Sequence, residues 1–135
     1  MDTVEQANKL CKDTMVEHLG IEITLFEKGK VEAKMPVDSR TYQPMRILHG
    51  GASAALAESI ASIGSAALVD LTKETINGLE INANHVRSVK EGYVYAKAEI
   101  IHKGRTTHIW DIKVYDEQNR LVCVSRMTNI VLARK

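Results

Sequence analysis

The sequence predicts an α+β domain in which a curved antiparallel sheet wraps one long central helix. The helix is indicated by residues 47–69, where Glu58 is the only formally charged residue and where fourteen of the eighteen positions 50–67 are Gly, Ala or Ser. The sheet is indicated by apolar residues that alternate with polar ones on both sides of this stretch. Tight turns join the alternating segments, and strands joined by tight turns pair antiparallel. Such a sheet must bury one face, and the helix is the element available to cover it.

The central helix is predicted from about residue 51 to about residue 71 and is expected to be buried on most sides. Alanine favours helix, the stretch contains no proline, and a helix that is apolar all round is an interior helix. Within it the Glu58 carboxylate would lose hydration, which moves a carboxyl group toward use as a general base or acid. A structural Glu58, paired with an arginine or capping a neighbouring backbone, is an equally good interpretation. A membrane span is disfavoured, because Gly, Ser and Glu make the stretch less apolar than a bilayer requires.

The N-terminal segment is predicted to form one amphipathic helix. Thr3 followed by Gln6 is a capping box. Apolar residues then recur at helical spacing until Gly20 offers a C-terminal cap.

A hairpin and a loop are predicted between this helix and the central one. From residue 21 the apolar period changes to two, so that residues 21–27 and 31–37 read as strands around a turn at 28–30. Residues 38–48 show no period and contain Pro44, which predicts a loop that delivers the chain to the central helix.

The sequence after the central helix is predicted to form four strands. A polar connector at 70–74 precedes them. Turns are expected at 90–92, 102–105 and 116–119. The strands between these turns are predicted at 77–89, 93–101, 107–115 and 120–133.

Length and composition fit a single domain, residues 1–135, without a linker. The chain is 44% hydrophobic and 26% charged with a net charge of +1, which argues against a nucleic-acid surface. Cys11 and Cys123 show no metal or redox spacing and are expected to be free thiols in a reducing compartment. The N-terminus begins with acids rather than a basic and then apolar run, so a cytoplasmic protein is expected.

Several catalytic motifs are absent from the sequence. It contains no HExxH, Gly-rich phosphate loop, Walker or GxSxG pattern, which leaves zinc hydrolase, NTPase and serine-esterase functions without support. We expect neither a metal nor a cofactor.

The order of predicted elements and the string LHGG, with a glutamate in the helix eight residues after the first glycine, resemble the hotdog-fold acyl-CoA thioesterases. The likeness is greatest to the branch acting on 4-hydroxybenzoyl-CoA and 1,4-dihydroxy-2-naphthoyl-CoA. The strings MPVDSRTYQP and GLEINANHVRS and the segment 127–132 add to it, so it spans nearly the whole chain. The resemblance implies a hotdog fold and a thioester hydrolase whose substrate is an acyl-CoA, with an aromatic acyl group, or an acyl-carrier-protein thioester.

Two groups near the helix could carry thioester hydrolysis. The N–H of Gly50 would lie at the helix N-terminus, where the dipole stabilises negative charge developing on a carbonyl oxygen. Glu58 would either attack the carbonyl to form an anhydride or activate water as a general base. The resemblance implies that Gln43 and His49 hold the carbonyl or the water and that Ser62 orients the carboxylate. The simpler alternatives are a loop residue for Gln43, a helix cap for His49 and a packing residue for Ser62.

Gly50 and Glu58 are expected to act in different subunits. Eight residues of helix separate them by roughly 12 Å, so one thioester need not touch both groups of one chain. The resemblance implies sites built across a two-fold interface, with Glu58 from one subunit, in a homotetramer made of two dimers. Neither a membrane nor a nucleic acid is an expected partner.

Coenzyme A is expected to bind cationic and backbone donors that cluster near one strand end. Arg87, Ser88 and the turn Lys103, Gly104, Arg105, Thr106 are the candidates. The resemblance adds Gly78, His85 and Val86 as the lining of the pantetheine and acyl channel and His102 and Thr107 as residues flanking the turn. A buried core histidine is the simpler interpretation of His85. The acyl pocket has four candidate residues, Met45, Ile47, Leu48 and Ile63.

Three other functions stay open at this point. A binding module could sequester acyl-CoA without turnover. A hotdog hydratase or dehydratase could use His49. A structural oligomer could use Glu58 only as an interface ion pair.

Overall fold

A computed structural model describes all 135 residues. The chain forms one six-stranded antiparallel sheet of order β1-β2-β4-β5-β6-β3. The elements are α1 Val4–Leu10, α2 Met15–His18, β1 Glu22–Glu27, β2 Lys30–Pro36, α3 Gly50–Ala66, β3 Glu74–His85, β4 Tyr93–Lys103, β5 Thr107–Tyr115 and β6 Leu121–Ala133.

The helix α3 lies against one face of the sheet and contacts all six strands. Eight of its seventeen residues are buried, among them Leu56 and Ile60. The largest side chain of the core is Trp110 on β5, which is fully buried. Gly64 allows this contact, because a Cβ there would lie 2.6 Å from the Trp110 ring. The predicted arrangement of a sheet around one long helix is confirmed.

The single N-terminal helix predicted from the sequence is wrong, although its capping box at Thr3 and its end at Gly20 are confirmed. The segment forms two short helices, α1 and α2. Between them Asp13 adopts a left-handed backbone with φ of 60°. The Thr14 hydroxyl donates to the Cys11 carbonyl at 2.5 Å. This side-chain bond competes with the backbone bonds that would continue α1.

The central helix is shorter and more exposed than the sequence predicts. It ends at Ala66, and the Asp70 carboxylate then accepts hydrogen bonds from the N–H and hydroxyl of Thr72, which fixes a turn. The face that carries Gly51 and Glu58 is open to solvent in the single chain. Because one sheet covers only one side of a helix, the expected burial of Glu58 is not supplied by its own chain.

The two edges of the sheet are treated differently. At β1, Asn8 of α1 donates to the Ile23 carbonyl at 2.9 Å and accepts the Ile23 N–H at 2.8 Å, so its amide bonds the edge as a neighbouring strand would. At the other edge, β3 is twelve residues long and leaves Leu79 59% exposed. A long exposed edge strand is a template for pairing with another chain. No helix combines the length and apolar character needed to cross a bilayer.

A buried hydrogen-bonded cluster joins α3 to β5 and β6. The Ser65 hydroxyl oxygen accepts the Trp110 Nε1–H at 2.8 Å and the Asn129 Nδ2–H at 2.9 Å. Both lone pairs of the oxygen are therefore used, and its own proton is donated to His108 Nδ1 at 2.9 Å. His108 is consequently neutral, with its proton on Nε2. Burial, aided by the positive charge of Lys103, lowers the pKa of His108.

Acidification should destabilise the fold through His108. Because the folded pKa lies below the unfolded value of 6.5, the unfolded state binds more protons between the two, and stability falls as pH drops below about 6.5. We expect the thermal midpoint to fall between pH 7 and pH 5, and to fall less in His108→Gln. This window lies above the range in which carboxylates titrate. Equal slopes in the two proteins would contradict the assignment.

Candidate active site

The start of α3 leaves one backbone donor free. His49 is the N-cap, and its Nδ1 accepts the Gly51 N–H at 2.7 Å. The His49 carbonyl accepts the N–H groups of Ala52 and Ser53 at 3.0 and 3.3 Å. The Gly50 N–H is the one amide of this turn that donates to no protein group. His49 therefore caps the helix through its Nδ1, and Gly50 carries the free donor.

A cavity of about 410 Å³ opens beside Gly50. It is lined by Ile47, Leu48, Gly50, Ser53, His85, Val86, Arg87, Ser88 and Val122. A Cβ on Gly50 would lie 2.8 Å from His85 Nε2, so glycine leaves room here for a bound group to approach the backbone. His85 is exposed at this cavity, which makes its interpretation as a core histidine wrong.

Gln43 fixes the loop that precedes the helix. Its Oε1 accepts the Met45 N–H, and its own N–H donates to the Ile47 carbonyl at 2.9 Å. Arg46 adopts a positive φ of 62° within this turn. The Nε2–H groups of Gln43 have no protein partner, so they are available to donate to a carbonyl.

Glu58 lies two turns farther along the helix and forms no hydrogen bond or ion pair within the chain. Within its own chain Glu58 therefore has neither an arginine partner nor a backbone group that it caps. Its Oε2 lies 3.1 Å from the position that a Cβ on Gly78 would occupy. Gly78, expected in one channel with His85 and Val86, thus lies beside the Glu58 carboxylate in the single chain.

Ser62 borders a second cavity of about 320 Å³ on the same open face of α3. Most of its lining is apolar, and it comprises Met1, Leu10, Ser62, Ile63, Ala66, Leu71, Thr75, Ile76 and Arg134. Two of the four residues expected in an acyl pocket, Ile47 and Leu48, line the first cavity, whereas Ile63 lines this one. Met45 is 79% exposed and lines neither.

The two groups of candidate coenzyme A ligands lie apart in the single chain. In the turn 103–107, which the exposed His102 precedes, the Gly104 N–H donates to the Thr107 carbonyl at 2.8 Å. Thr107 pairs with Ile130, whereas His85 pairs with Cys123, seven residues away along β6. Seven residues of strand span roughly 23 Å. The expectation that 87–88 and 103–106 share one strand end is wrong for one chain, because the β4–β5 turn and the end of β3 lie at opposite ends of the sheet.

Sequence reasoning missed two lining residues of the first cavity. Ser53 follows Gly50 by three residues, a spacing that puts both on one helix face and could have indicated it. No local pattern in the sequence indicated Val122. It borders the cavity because its carbonyl accepts the Val86 N–H from the neighbouring strand, at 2.9 Å. No group of three or more His, Cys, Asp or Glu side chains is placed to hold a metal ion.

A sheet curved around one helix, with a free amide at the helix start and a lone carboxylate on its open face, is the arrangement of a hotdog-fold thioester hydrolase. The chain belongs to the thioesterase superfamily, whose family model matches residues 45–123.

Known relatives agree with this family. ComA2 of Bacillus subtilis is 54% identical over 123 residues, which cover 91% of this chain and 98% of that protein. The 1,4-dihydroxy-2-naphthoyl-CoA hydrolase of Listeria monocytogenes is 46% identical over 119 residues, which cover 88% of this chain and 96% of that protein. The crystal structure of a mutant of thioesterase PA1618 from Pseudomonas aeruginosa has a TM-score of 0.96 at 42% identity and covers 99% of this chain and 96% of its own. The predicted hotdog fold and enzyme class are confirmed.

Proposed function

We propose that the protein hydrolyses aromatic acyl-CoA thioesters to the free acid and coenzyme A. The free Gly50 N–H carries this proposal, because it lies at the positive end of α3 and opens onto a cavity of about 410 Å³. The similarity to a protein named 1,4-dihydroxy-2-naphthoyl-CoA hydrolase supports an aromatic acyl group. The mostly apolar cavity beside Ser62 offers space for such a group.

In the proposed reaction the carbonyl oxygen accepts the Gly50 N–H and a Gln43 Nε2–H. Along one route a Glu58 oxygen attacks the carbonyl carbon, the C–S bond breaks and coenzyme A leaves as a thiolate. Water then hydrolyses the resulting anhydride. Along the other route Glu58 takes a proton from water as the water attacks, and the proton passes to the departing sulfur. Ser62, whose hydroxyl forms no hydrogen bond within the chain, orients the carboxylate in both.

A second copy of the chain completes the proposed site. Gly50 and Glu58 lie eight residues apart on α3, roughly 12 Å, so Glu58 of one copy acts with Gly50 of the other. The β1 edge is covered by α1 while the β3 edge is open, which favours antiparallel pairing of two β3 strands about a two-fold axis. That pairing brings the turn 103–107 of one copy to the sheet end where residues 85–88 of the other lie. Coenzyme A then meets both groups of ligands, in a homotetramer made of two dimers.

Release of coenzyme A from benzoyl-CoA, 1,4-dihydroxy-2-naphthoyl-CoA and hexanoyl-CoA tests this function. We expect kcat/KM for an aromatic thioester to exceed that for hexanoyl-CoA by about tenfold or more, with a native mass of four chains. A preference for hexanoyl-CoA would overturn the aromatic assignment. Binding of all three without turnover would favour a module that sequesters acyl-CoA. If an acyl-carrier-protein thioester is hydrolysed faster than the coenzyme A thioesters, the carrier of the substrate is that protein rather than coenzyme A.

A further inference from the structure

Asn129 of β6 carries an acceptor that the proposed mechanism leaves unused. The side chain is fully buried, and its Oδ1 has no hydrogen-bond partner. A buried acceptor without a partner is costly, which makes each such group in a folded protein one that calls for a role.

The surrounding hydrogen bonds fix the direction of this amide. Its Nδ2 donates to the Ser65 hydroxyl at 2.9 Å and lies 3.4 Å from the Ala61 carbonyl, which can only accept. Ser65 is itself held by its bonds to Trp110 and His108. The Nδ2 side of Asn129 therefore faces α3, and its Oδ1 faces away from this cluster.

The free oxygen points toward the strand that carries Gly78. Asn129 pairs with Gly78 across β6 and β3. A Cβ placed on Gly78 would lie 3.9 Å from Asn129 Oδ1, 3.1 Å from Glu58 Oε2 and 2.7 Å from the terminal methyl of Met127. Two acceptor oxygens thus lie within 4 Å of one point, and the third neighbour is the flexible end of a methionine, which can withdraw.

We propose that Asn129 is a positioning residue that holds the Glu58 carboxylate through one bridging water beside Gly78. Two acceptors facing one small space require a molecule with two donor hydrogens, and water meets this need in the smallest volume. The inference rests on the proposed function, in which Glu58 is the catalytic carboxylate. Gly78 is required for this arrangement, since the side chain of any larger residue would fill the space.

The test compares Asn129→Ala with Ser65→Ala, which breaks the other end of the same cluster. Both variants lose stability, but only Asn129→Ala removes the acceptor that faces Glu58. We expect kcat to fall about tenfold in Asn129→Ala, with KM within about twofold of wild type, and to fall less in Ser65→Ala. If Asn129→Ala does not fold, Gly78→Ala places a methyl group 3.1 Å from Glu58 Oε2 and 3.9 Å from Asn129 Oδ1, leaves the cluster around Ser65 intact and should show the same loss of kcat.

A pH profile separates positioning from packing. In Asn129→Asp a second carboxylate faces Glu58, and two close carboxylates share a proton, so the acid limb of the pH dependence of kcat should move to higher pH. An unchanged pH profile in Asn129→Asp, together with equal kcat in the Asn129→Ala and Ser65→Ala variants, would overturn the proposal. The proposed function would still stand in that case if Glu58→Gln lost its turnover.

A wild type without turnover would instead defeat the proposed function. In that case a high-resolution crystal structure tests only whether the bridging water is present. Density bridging Asn129 Oδ1 and Glu58 supports it, and an empty or apolar-filled space overturns it.

Discussion

Replacing Glu58 with Gln should lower kcat for the best coenzyme A thioester about a thousandfold, which corresponds to about 4 kcal/mol of transition-state stabilisation. The amide keeps the shape of the side chain but neither attacks a carbonyl nor accepts a proton from water. Because Glu58 is exposed and forms no hydrogen bond within its chain, the change should cost the folded chain little. Steady-state release of coenzyme A measures the effect, with native mass recorded for both proteins.

Glu80 provides the matched control for Glu58. It lies on β3 near Gly78, and its carboxylate accepts from Asn82 at the exposed edge of the sheet. Glu80→Gln should keep kcat within about twofold, since Glu80 has no part in the proposed chemistry. A Glu58→Gln protein that retained kcat within tenfold of wild type would refute a catalytic Glu58. Loss of assembly without loss of turnover would favour an interface ion pair.

Replacing Gly50 with Pro should lower kcat about a hundredfold, the usual effect of removing one donor to a developing oxyanion. Proline deletes the N–H while suiting the first position of a helix. His49 already has the extended backbone that a following proline requires, with φ of −72° and ψ of 130°. The helix should therefore persist, and circular dichroism checks this beside the kinetics.

Gly50→Ala isolates the N–H from the added bulk. Alanine keeps the donor but places a Cβ 2.8 Å from His85 Nε2, close enough to displace that ring. We expect KM to rise and kcat to stay within about fivefold of wild type. Equal kcat in the proline and alanine variants would show that the Gly50 N–H is not used.

Local patterns were sufficient to predict most elements. The strand predicted at 107–115 is β5 to the residue, because alternation along it is strict and turn residues bound it. The turns before β4 and after β5 contain Gly92 and Asn119, both at positive φ. The N-terminal break was not predictable from apolar spacing, since it depends on the backbone of Asp13 and the Thr14 hydroxyl.

The exposure of Glu58 shows that the small and apolar composition of α3 does not by itself predict which chain covers the helix. The small and apolar residues of α3 predict a helix covered all round, yet a single chain covers only the side that packs on its own sheet. The open side carries Glu58 and borders the unpaired β3 edge. The composition of α3 is therefore that expected for a helix in the proposed assembly, in which a second chain covers this side.

The positions of the site residues depend on the order of the strands in the sheet. The alternation of apolar and polar residues does not predict that order. β3 follows α3 in sequence but pairs with β6 at the far edge. That crossover places Gly78 beside Glu58 and separates residues 87–88 from the turn 103–107. The same pairing aligns Asn129 with Gly78, fifty-one residues apart in sequence.

Activity of mixed dimers tests most directly the central claim that each site combines Glu58 of one chain with Gly50 of another. Chains carrying Glu58→Gln and chains carrying Gly50→Pro are each nearly inactive alone. Co-expressed in equal amounts and paired at random, half of the dimers are mixed, and each mixed dimer has one intact site of two. A site shared between two chains should give the mixture about a quarter of wild-type activity. Activity no higher than the mean of the two variants would contradict it, because both groups would then act within one chain.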